Sequence, residues 1–333
     1  MSVGERTVSA ISVVDLASEL IARRLLKISE LRGISSALSD CFTRAKAGFD
    51  VTEERLSEVD LGTLWVLADQ RKLTSSLGFE IGKTVNNEAR GLLANWVACC
   101  DSLGEVFSVF TNNIGLLNES EQWLSRACDT YVSLEFSHVS SIQYPQIAVE
   151  RSMVALLAWA EYFCDEPLVV ESADFSFTAP EHHSLYEKLF GTNLNFGTTG
   201  NRIVLDRDIL SRPVRSSNRY VRELLAKRAG GVILSSGKAL PLKRQVEALL
   251  RESLQKYSRL ERALDELNIS RANLYRKLKA EGTQYSILLR EARLTRLESF
   301  DEKALSSDDK AEEMGFSDVS SYYRFLKRAD KLR

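Results

Sequence analysis

Apolar residues recur at helical spacing through most of the chain, and a few segments switch to the alternation typical of strands. Between residues 8 and 120 the apolar positions repeat about every 3.6 residues, which predicts a series of amphipathic helices. Segments 121–128 and 130–136 alternate instead, so we expect a β-hairpin that turns at residues 128–130. The apolar stretch from Ile147 to Cys164 predicts another helix.

The chain then continues this mixture of elements. Residues 167–180 predict a strand, residues 182–191 a short helix, and residues 193–206 a hairpin over a glycine turn. Helices combined with antiparallel strands indicate an α+β domain. Glycine, serine and proline cluster between residues 227 and 245, which marks a linker. The sequence therefore predicts an N-terminal domain at 1–228, a linker at 229–242 and a C-terminal domain at 243–333.

Residues 258–333 contain two copies of one helical pattern. In the first copy Leu274 and Leu278 form a narrow apolar face, and Tyr322 and Leu326 repeat that face 48 residues later. A helix with a narrow apolar stripe and a basic outer face can pack on its partner and still enter a groove of nucleic acid. The pattern therefore predicts two helices that present cations outward.

Local sequence features support both copies. Ser258 and Ser270 are residue types that cap helix N-termini. Gly315 falls where the turn between the paired helices tightens, a position at which glycine relieves the backbone. A longer apolar-periodic helix at 283–300 joins the two copies.

Three segments of this region carry a resemblance to a known family: RANLYRKLKAEG at 271–282, LLREARLTRL at 288–297 and EEMGFSDVSSYYRFLKR at 312–328. They are similar to the DNA-binding domain of the AraC/XylS family of bacterial transcription regulators. The resemblance implies an all-α C-terminal domain with two helix-turn-helix motifs. It also implies that two recognition helices enter successive major grooves on one face of DNA, about 34 Å apart.

The resemblance implies that exposed positions of one helix in each copy contact DNA. Arg276 and Arg324 are the best candidates, since the planar guanidinium pairs with guanine O6 and N7 or with a phosphate. Lys279 and Lys327 suit phosphates, which set affinity but not sequence preference. The alternative for each cation is an ordinary solvated surface charge. The full set is Arg271, Ala272, Asn273, Tyr275, Arg276 and Lys279 in the first copy and Val319, Ser320, Ser321, Arg324 and Lys327 in the second.

A second resemblance lies in residues 183–214. Its carriers are Tyr186, Phe190-Gly191, Phe196-Gly197, Asn201 and the segment 210–213. They resemble the arabinose-binding-type N-terminal domain of one branch of the same family, and the match spans roughly residues 10–215. The resemblance implies an effector-sensing and dimerisation domain, not a specificity for arabinose. The implied partners are double-stranded promoter or operator DNA, a second copy of the chain in a homodimer, a small-molecule effector and RNA polymerase.

Aromatic residues of the N-terminal domain are candidates for an apolar effector pocket. The alternative for each of them singly is a place in the core. The candidates are Trp96, Trp123, Phe136 and Trp159.

Charge is distributed unevenly along the chain. The net charge is −2, but residues 243–333 carry 20 Lys and Arg against 16 Asp and Glu, whereas the remaining residues carry 24 against 30. A C-terminal balance of +4 beside an N-terminal balance of −6 fits a nucleic-acid module attached to a different domain.

Other chemistry is sparse. Five scattered cysteines without a Cys-x-x-Cys pair suggest reduced thiols in the cytoplasm. With no signal-peptide pattern and no apolar run of membrane-spanning length, we expect a cytoplasmic protein without a membrane partner. Adjacent residues on a helix point about 100° apart, so His182 and His183 suit a shared metal poorly. With no catalytic constellation visible, we expect no enzyme, no metal and no cofactor.

The second copy departs from the family pattern. Lys310 stands where the family favours isoleucine or valine, and in the first copy Leu264 replaces a usual alanine. The chain ends at Arg333 without the family's closing Gly-x-Ser-Pro and Tyr-Arg. Our principal hypothesis is a sequence-specific transcription activator. Two alternatives remain open: a regulatory interaction protein whose degenerate second helix-turn-helix acts through protein partners, and an enzyme in the N-terminal domain.

Overall fold

A five-stranded sheet and a set of helices form the first part of the chain, and helices form the second. The structure is a computed structural model that describes residues 6–86, 91–128, 130–235, 242–298 and 306–329. The chain divides into two units, Met1–Ile233 and Leu234–Arg333. The first unit combines a sheet with helices, and the described elements of the second unit are helices. This agrees with the α+β N-terminal domain and the all-α C-terminal domain expected from the sequence. No helix within the described ranges is both long enough and apolar enough to cross a membrane.

The first unit begins with a short two-stranded sheet and continues with helices around the five-stranded sheet. Its strands are β1 (Thr7–Ser9), β2 (Arg55–Ser57), β3 (Glu121–Ala127), β4 (Tyr131–His138), β5 (Val170–Phe175), β6 (Leu194–Phe196) and β7 (Asn201–Asp206). Its helices are α1 (Ala10–Ala22), α2 (Leu31–Ile34), α3 (Ser36–Lys46), α4 (Glu58–Arg71), α5 (Leu77–Lys83), α6 (Leu92–Val97), α7 (Leu103–Asn113), α8 (Gln146–Cys164), α9 (His183–Phe190) and α10 (Arg219–Ser235). Short 3-10 turns occupy Ile28–Glu30, Ile114–Leu116 and Arg207–Ser211.

The larger sheet has the strand order β3-β4-β7-β5-β6. Strands β3 and β4 form the hairpin predicted from the sequence, with Trp123 opposite Phe136, although Asp129 of its turn lies outside the described residues. Strand β7 pairs antiparallel with both β4 and β5. The predicted helix over residues 147–164 is confirmed as α8.

The hairpin predicted at residues 193–206 is wrong. Strand β6 pairs in parallel with β5, placing Phe196 opposite Phe175, whereas β7 lies on the other side of β5. Helix α9 supplies the crossover connection that two parallel strands need. The rings of Phe175 and Phe196 stack at 5.2 Å between centroids. Contacts between distant strands, which local turn chemistry does not encode, therefore decide this topology.

Two hydrophobic cores of the first unit share helix α8. One core gathers the sheet, α6, α7 and the later turns of α8. The other gathers α1, α3 and α4 and reaches the first turn of α8 at Ile147 and Ala148. Because α8 contacts both cores, apolar residues cover most of its circumference.

Helix α5 approaches α8 closely because two of its glycines face that helix. A Cβ atom added to Gly78 would lie 2.3 Å from the carbonyl oxygen of Ile147. One added to Gly82 would lie 2.8 Å from the carbonyl oxygen of Arg151. Side chains larger than hydrogen do not fit at such distances, so the two glycines permit this backbone approach. The crossing fixes the turn of α8 that carries Arg151.

The second unit packs its helices around a larger and a smaller apolar core. Its helices are α11 (Leu242–Glu252), α12 (Leu254–Tyr257), α13 (Leu260–Leu267), α14 (Arg271–Ala280), α15 (Tyr285–Glu298), α16 (Ser307–Glu313) and α17 (Val319–Ala329). The larger core holds α11 to α15 together, and the smaller core holds α16 and α17 with part of α15. Leu274 and Leu278 of α14 are fully buried, as the apolar face predicted, and Tyr322 of α17 is buried in the smaller core.

The predicted caps and turns have mixed outcomes. The Oγ of Ser270 accepts a hydrogen bond from the backbone N–H of Asn273 at 3.3 Å, so its N-cap role is confirmed. The same role for Ser258 is wrong, because α13 begins after Arg259 and Ser258 instead follows the last turn of α12. Gly315 adopts a φ of +69°, and a Cβ there would lie 2.4 Å from a backbone oxygen of α12, which confirms the tight turn.

The first seven residues of the linker predicted at 229–242 are helical. Helix α10 runs to Ser235 and includes both Gly230 and Gly231. The helix continues because glycine weakens but does not forbid helical backbone. Residues 236–241 lie outside the described residues, and Leu242 begins α11.

Candidate functional site

Helix α14 turns the residues predicted to contact DNA away from its core. Its inner face is Leu274 and Leu278, and Asn273 is half-buried beside the N-cap. The outer face is exposed at Arg271, Ala272, Tyr275, Arg276 and Lys279.

Helix α17 shows the same division with one exception. Ser320, Arg324 and Lys327 are exposed, and Ser321 is half-buried. Val319, which the sequence placed among the base contacts, is half-buried and packs against the smaller core. A valine at the first position of α17 therefore contributes to packing, and the polar positions after it form the outward face.

The two candidate arginines are held in the same way. In α14 the Nη2 of Arg276 donates to Oδ1 of Asn273 at 2.9 Å, and in α17 the Nη2 of Arg324 donates to Oγ of Ser321 at 2.9 Å. Each acceptor lies three positions earlier on the same helix, where side chains are neighbours. One such bond occupies only one of the five N–H donors of a guanidinium. Both arginines therefore keep donors for a partner while their rotamers are restrained.

Arg271 differs because it already has a carboxylate partner. It forms an ion pair with Glu261 of α13, and both side chains are more than half exposed. Ion pairs this exposed are weak. Arg271 can exchange Glu261 for a phosphate at little cost, whereas Lys279 and Lys327 have no hydrogen-bond or ion-pair partner among the described residues.

The first unit contains a cavity of about 190 Å³ lined by residues of both its hydrophobic cores. Its walls come from α1, α4, α5, α6, α7, β3, β4, α8 and the segments between them. The Trp, Phe and Tyr residues of these walls are Trp65, Phe107, Phe110, Trp123, Tyr144, Trp159 and Phe163. A small molecule bound there would contact both cores at once.

Two of the four aromatic residues assigned to an effector pocket line this cavity. They are Trp123 of β3 and Trp159 of α8. Trp96 and Phe136 are instead buried in the core without lining it. Phe136 lies behind Trp123 with 4.7 Å between ring centroids. Of these two neighbouring rings, Trp123 therefore lines the cavity, whereas Phe136 packs against Trp123 within the core.

Polar groups at the cavity were missed by the sequence analysis. Glu121 of β3 accepts hydrogen bonds from Ser152 Oγ at 3.2 Å, Asn118 Nδ2 at 3.4 Å and Trp123 Nε1 at 3.4 Å. His138 also lines the cavity, and burial lowers its pKa, which favours the neutral ring. Both carboxylate oxygens of Glu121 therefore accept hydrogen bonds from protein donors.

An acidic and a basic residue on two different helices also line the cavity. Asp15 of α1 accepts a hydrogen bond from Asn86 Nδ2 at 2.7 Å. Burial raises the pKa of Asp15, while that hydrogen bond and the charge of Arg151 oppose the rise. Arg151 of α8 is half-buried, and no described residue accepts a hydrogen bond from it or forms an ion pair with it. In the sequence, Arg151 could have been noticed as a charged residue within the apolar repeat of α8.

His182 belongs to a packed hydrogen-bond cluster. Its Nε2 lies 2.5 Å from Oε1 of Glu150, an oxygen that also accepts from the hydroxyl of Tyr186 at 2.6 Å. Its Nδ1 lies 3.1 Å from the hydroxyl of Ser75. His182 therefore ties α9 to α8, and His183 is exposed. In the described part of the chain no group of three or more His, Cys, Asp or Glu side chains is placed to hold a metal ion.

Comparison with known families identifies the first unit. Residues 45–214 match the family described as the arabinose-binding domain of AraC transcription regulators, N-terminal. This match covers half of the chain, and the chain belongs to this family of AraC regulators.

Individual proteins resemble the chain over most of its length. The chain is 24% identical over 319 residues to the ornithine utilization regulator of Pseudomonas aeruginosa, covering 94% of each protein. It is 23% identical over 326 residues to an uncharacterized HTH-type transcriptional regulator of Mycobacterium tuberculosis, covering 92% of this chain and 91% of that protein. The crystal structure of transcriptional regulator CdpR from Pseudomonas aeruginosa is a more distant likeness, with a TM-score of 0.41 and 19% identity over 80% of this chain and 87% of that one.

Proposed function

We propose that this chain is a transcriptional regulator that binds double-stranded promoter DNA through the exposed faces of α14 and α17. We further propose that a small molecule in the cavity of the first unit controls that binding. Membership of the AraC family supports the regulatory role. The matching placement of Arg276 and Arg324 on two outward helix faces carries the choice of DNA as partner.

In this proposal the pairs α13–α14 and α16–α17 act as two helix-turn-helix motifs. Arg276 and Arg324 pair with guanine edges in the major groove. Lys279 and Lys327 neutralise phosphates, and Arg271 leaves Glu261 to do the same. Because Asn273 and Ser321 already restrain the two arginines, less side-chain entropy is lost when the complex forms.

Binding of full-length protein to the genomic DNA fragments that it recovers tests the proposal. We expect Arg276→Ala and Arg324→Ala each to weaken specific binding by about 1–3 kcal/mol and to relax sequence preference at separate base pairs. Fluorescence anisotropy gives the affinity, and a set of singly mutated sites gives the preference. Arg276→Lys should keep part of the affinity but lose the preference, because lysine lacks the planar fork.

A charge-matched control distinguishes local contacts from net charge. Arg32 is exposed in the first unit, so Arg32→Ala removes one positive charge far along the chain. We expect its affinity to equal that of the unchanged protein. Equal affinity and equal preference in Arg276→Ala, Arg324→Ala and Arg32→Ala would contradict DNA recognition by α14 and α17.

The proposal also covers the effect on transcription and the oligomeric state. We propose that the protein activates transcription as a homodimer that also contacts RNA polymerase. A reporter gene placed behind a recovered promoter should lose expression when the gene for this chain is deleted. Analytical ultracentrifugation should give twice the chain mass. A rise in expression on deletion would assign repression instead.

The same binding data address the alternative in which the second helix pair serves protein partners. Val319 of α17 and Lys310 of α16 favour this alternative. Both residues are half-buried, so neither belongs to a fully exposed surface that could enter a groove of DNA. A loss of affinity in Arg276→Ala combined with unchanged affinity and preference in Arg324→Ala would favour this alternative, because it would remove Arg324 from DNA recognition.

A further inference from the structure

We propose that the ligand of the cavity is a small carboxylate with an apolar, ring-sized body, and that Arg151 binds its carboxylate group. This inference rests on the proposed effector role of the cavity and names the chemistry of the effector. Three observations support it: which of the charged residues lining the cavity have hydrogen-bond partners, the sign of their charges, and the volume of the cavity.

Among the charged residues that line the cavity, Arg151 is the one to which no described residue supplies a hydrogen bond or an ion pair. Its side chain is half-buried on α8 among apolar and aromatic walls, and no described residue pairs with it. Withdrawing a guanidinium from water without a partner is unfavourable. Its planar fork matches the two oxygens of a carboxylate. An incoming carboxylate would therefore complete this site.

Each acidic residue that lines the cavity accepts at least one hydrogen bond from a protein donor. Glu121 accepts from Ser152, Asn118 and Trp123. Glu19 pairs with Arg23 one turn along α1 at 2.7 Å. Asp15 accepts from Asn86 at 2.7 Å. A cationic ligand would compete with these donors for the carboxylates, whereas the guanidinium of Arg151 has no competing acceptor among the described residues.

The remaining surface and volume limit the body of the ligand. A cavity of about 150 Å³ in another protein holds one benzene molecule, and this cavity measures about 190 Å³. The space therefore suits one ring, or an alkyl chain of similar volume, with a short acidic arm. Phe107, Phe110, Trp123 and Trp159 provide aromatic walls, which favour such a body over a polyhydroxylated sugar.

Calorimetric titration of the full chain with matched probes tests the inference. The probes are phenylacetate, the neutral isostere phenylacetamide, the cation benzylamine, the aliphatic acid hexanoate and the sugar arabinose. We expect phenylacetate to bind about 10- to 100-fold more tightly than phenylacetamide, because the difference is one charge-assisted hydrogen-bonded pair. Benzylamine and arabinose should show no heat of binding at millimolar concentration. Comparison of phenylacetate with hexanoate distinguishes an aromatic from an aliphatic acid.

Two substitutions locate the carboxylate. Arg151→Gln should weaken phenylacetate by about 10- to 100-fold and leave phenylacetamide unchanged, and Arg151→Lys should retain part of the affinity. Asp15→Asn removes a negative charge that faces the same space and should tighten phenylacetate. If Arg151→Gln fails to fold, the Asp15→Asn and Arg151→Lys titrations still decide the matter. Equal affinity for the acid and its amide, tighter binding of benzylamine, or no binding of either acid would overturn the inference.

The DNA-binding assay on the same preparations separates this inference from the proposed function. The unchanged protein should bind recovered DNA in an assay without added acid. Acid binding by a protein that fails to bind any DNA would leave the ligand class intact and reject the regulatory role. Normal DNA binding with no discrimination between acid and amide would reject the ligand class alone.

Discussion

The guanidinium of Arg293 lies 3.8 Å above the ring of Phe316, measured from Cζ to the ring centroid. The same group donates from Nε to the carbonyl oxygen of Met314 at 2.9 Å and from Nη2 to that of Gly315 at 2.8 Å. These carbonyls follow the last turn of α16, where backbone acceptors lack helical partners. One side chain of α15 therefore fixes the end of α16 and the turn that leads to α17.

We expect Arg293→Ala to destabilise the pair α16–α17 by about 2–4 kcal/mol, because two charge-assisted hydrogen bonds and a cation–π contact are lost together. Hydrogen exchange in the full chain should show faster exchange in α16 and α17 and little change in α13 and α14. Arg293→Lys should recover only part of the protection, since an ammonium group cannot span both carbonyls.

Arg290 provides the control for this prediction. It lies three positions earlier on α15 and is exposed. Arg290→Ala should leave exchange in α16 and α17 as it is in the unchanged protein. Equal protection in Arg293→Ala and Arg290→Ala would show that the contact with Phe316 does not stabilise the second helix pair.

Local sequence was sufficient for features that depend on neighbouring residues. The buried face of α14 follows from the four-residue spacing of Leu274 and Leu278, and the cap at Ser270 from one serine before a helical repeat. The turn at Gly315 follows from a conformation that glycine adopts easily. The predicted cap at Ser258 failed because α13 begins one residue later than expected, with Arg259 at its N-cap.

Features that depend on distant contacts were not available from the sequence. The position of β6 is set by pairing with β5 across a crossover helix, not by the glycine turn before β7. The cavity depends on how α5, α8 and the sheet pack, so Trp123 lines it while Phe136, its register partner, does not. Arg151 becomes a candidate only once the structure shows that no described residue accepts a hydrogen bond from it or forms an ion pair with it.

The close approach of α5 to α8 gives a second prediction. Gly78→Ala places a methyl group against the carbonyl oxygen of Ile147, a backbone atom that cannot rotate away. We expect a loss of stability of about 1–3 kcal/mol, as for other overpacked positions. Thermal unfolding should show a lower Tm, and phenylacetate binding should weaken because the turn of α8 with Arg151 shifts.

Gly33 is the matched control for Gly78. It lies in α2, and a Cβ there meets no atom within 4 Å. Gly33→Ala should be neutral or stabilise by up to about 1 kcal/mol, since alanine restricts the unfolded chain. A Tm for Gly78→Ala equal to that of Gly33→Ala would mean that the two helices separate without cost.

Asp15 gives the stability of the first unit a specific pH dependence. Burial raises the pKa of this carboxyl above its unfolded value, so its ionisation opposes folding. The contribution of Asp15 to stability is therefore fully present below the unfolded pKa and is lost as pH rises through the raised folded pKa. Asparagine keeps an oxygen to accept from Asn86 but does not ionise.

We therefore expect the advantage of Asp15→Asn over the unchanged protein to grow as pH rises from the unfolded to the raised folded pKa of Asp15, and then to level off. Urea unfolding of both proteins across this pH range measures the difference. Asp69→Asn is a suitable control, because Asp69 pairs with Lys72 on the surface. An advantage of Asp15→Asn that is constant or falls with rising pH would contradict the assigned burial effect.

Salt dependence tests the role of the lysines on α14 and α17. Each lysine that neutralises a phosphate releases condensed counterions, so its removal should reduce the slope of log affinity against log salt concentration by about one unit. We expect this for Lys279→Ala and Lys327→Ala, with sequence preference preserved because a phosphate carries no base information. Lys188 is exposed on α9, and Lys188→Ala should leave the slope unchanged. A slope that falls equally in all three variants would trace the effect to net charge, and a slope that falls in none would remove both lysines from the DNA interface.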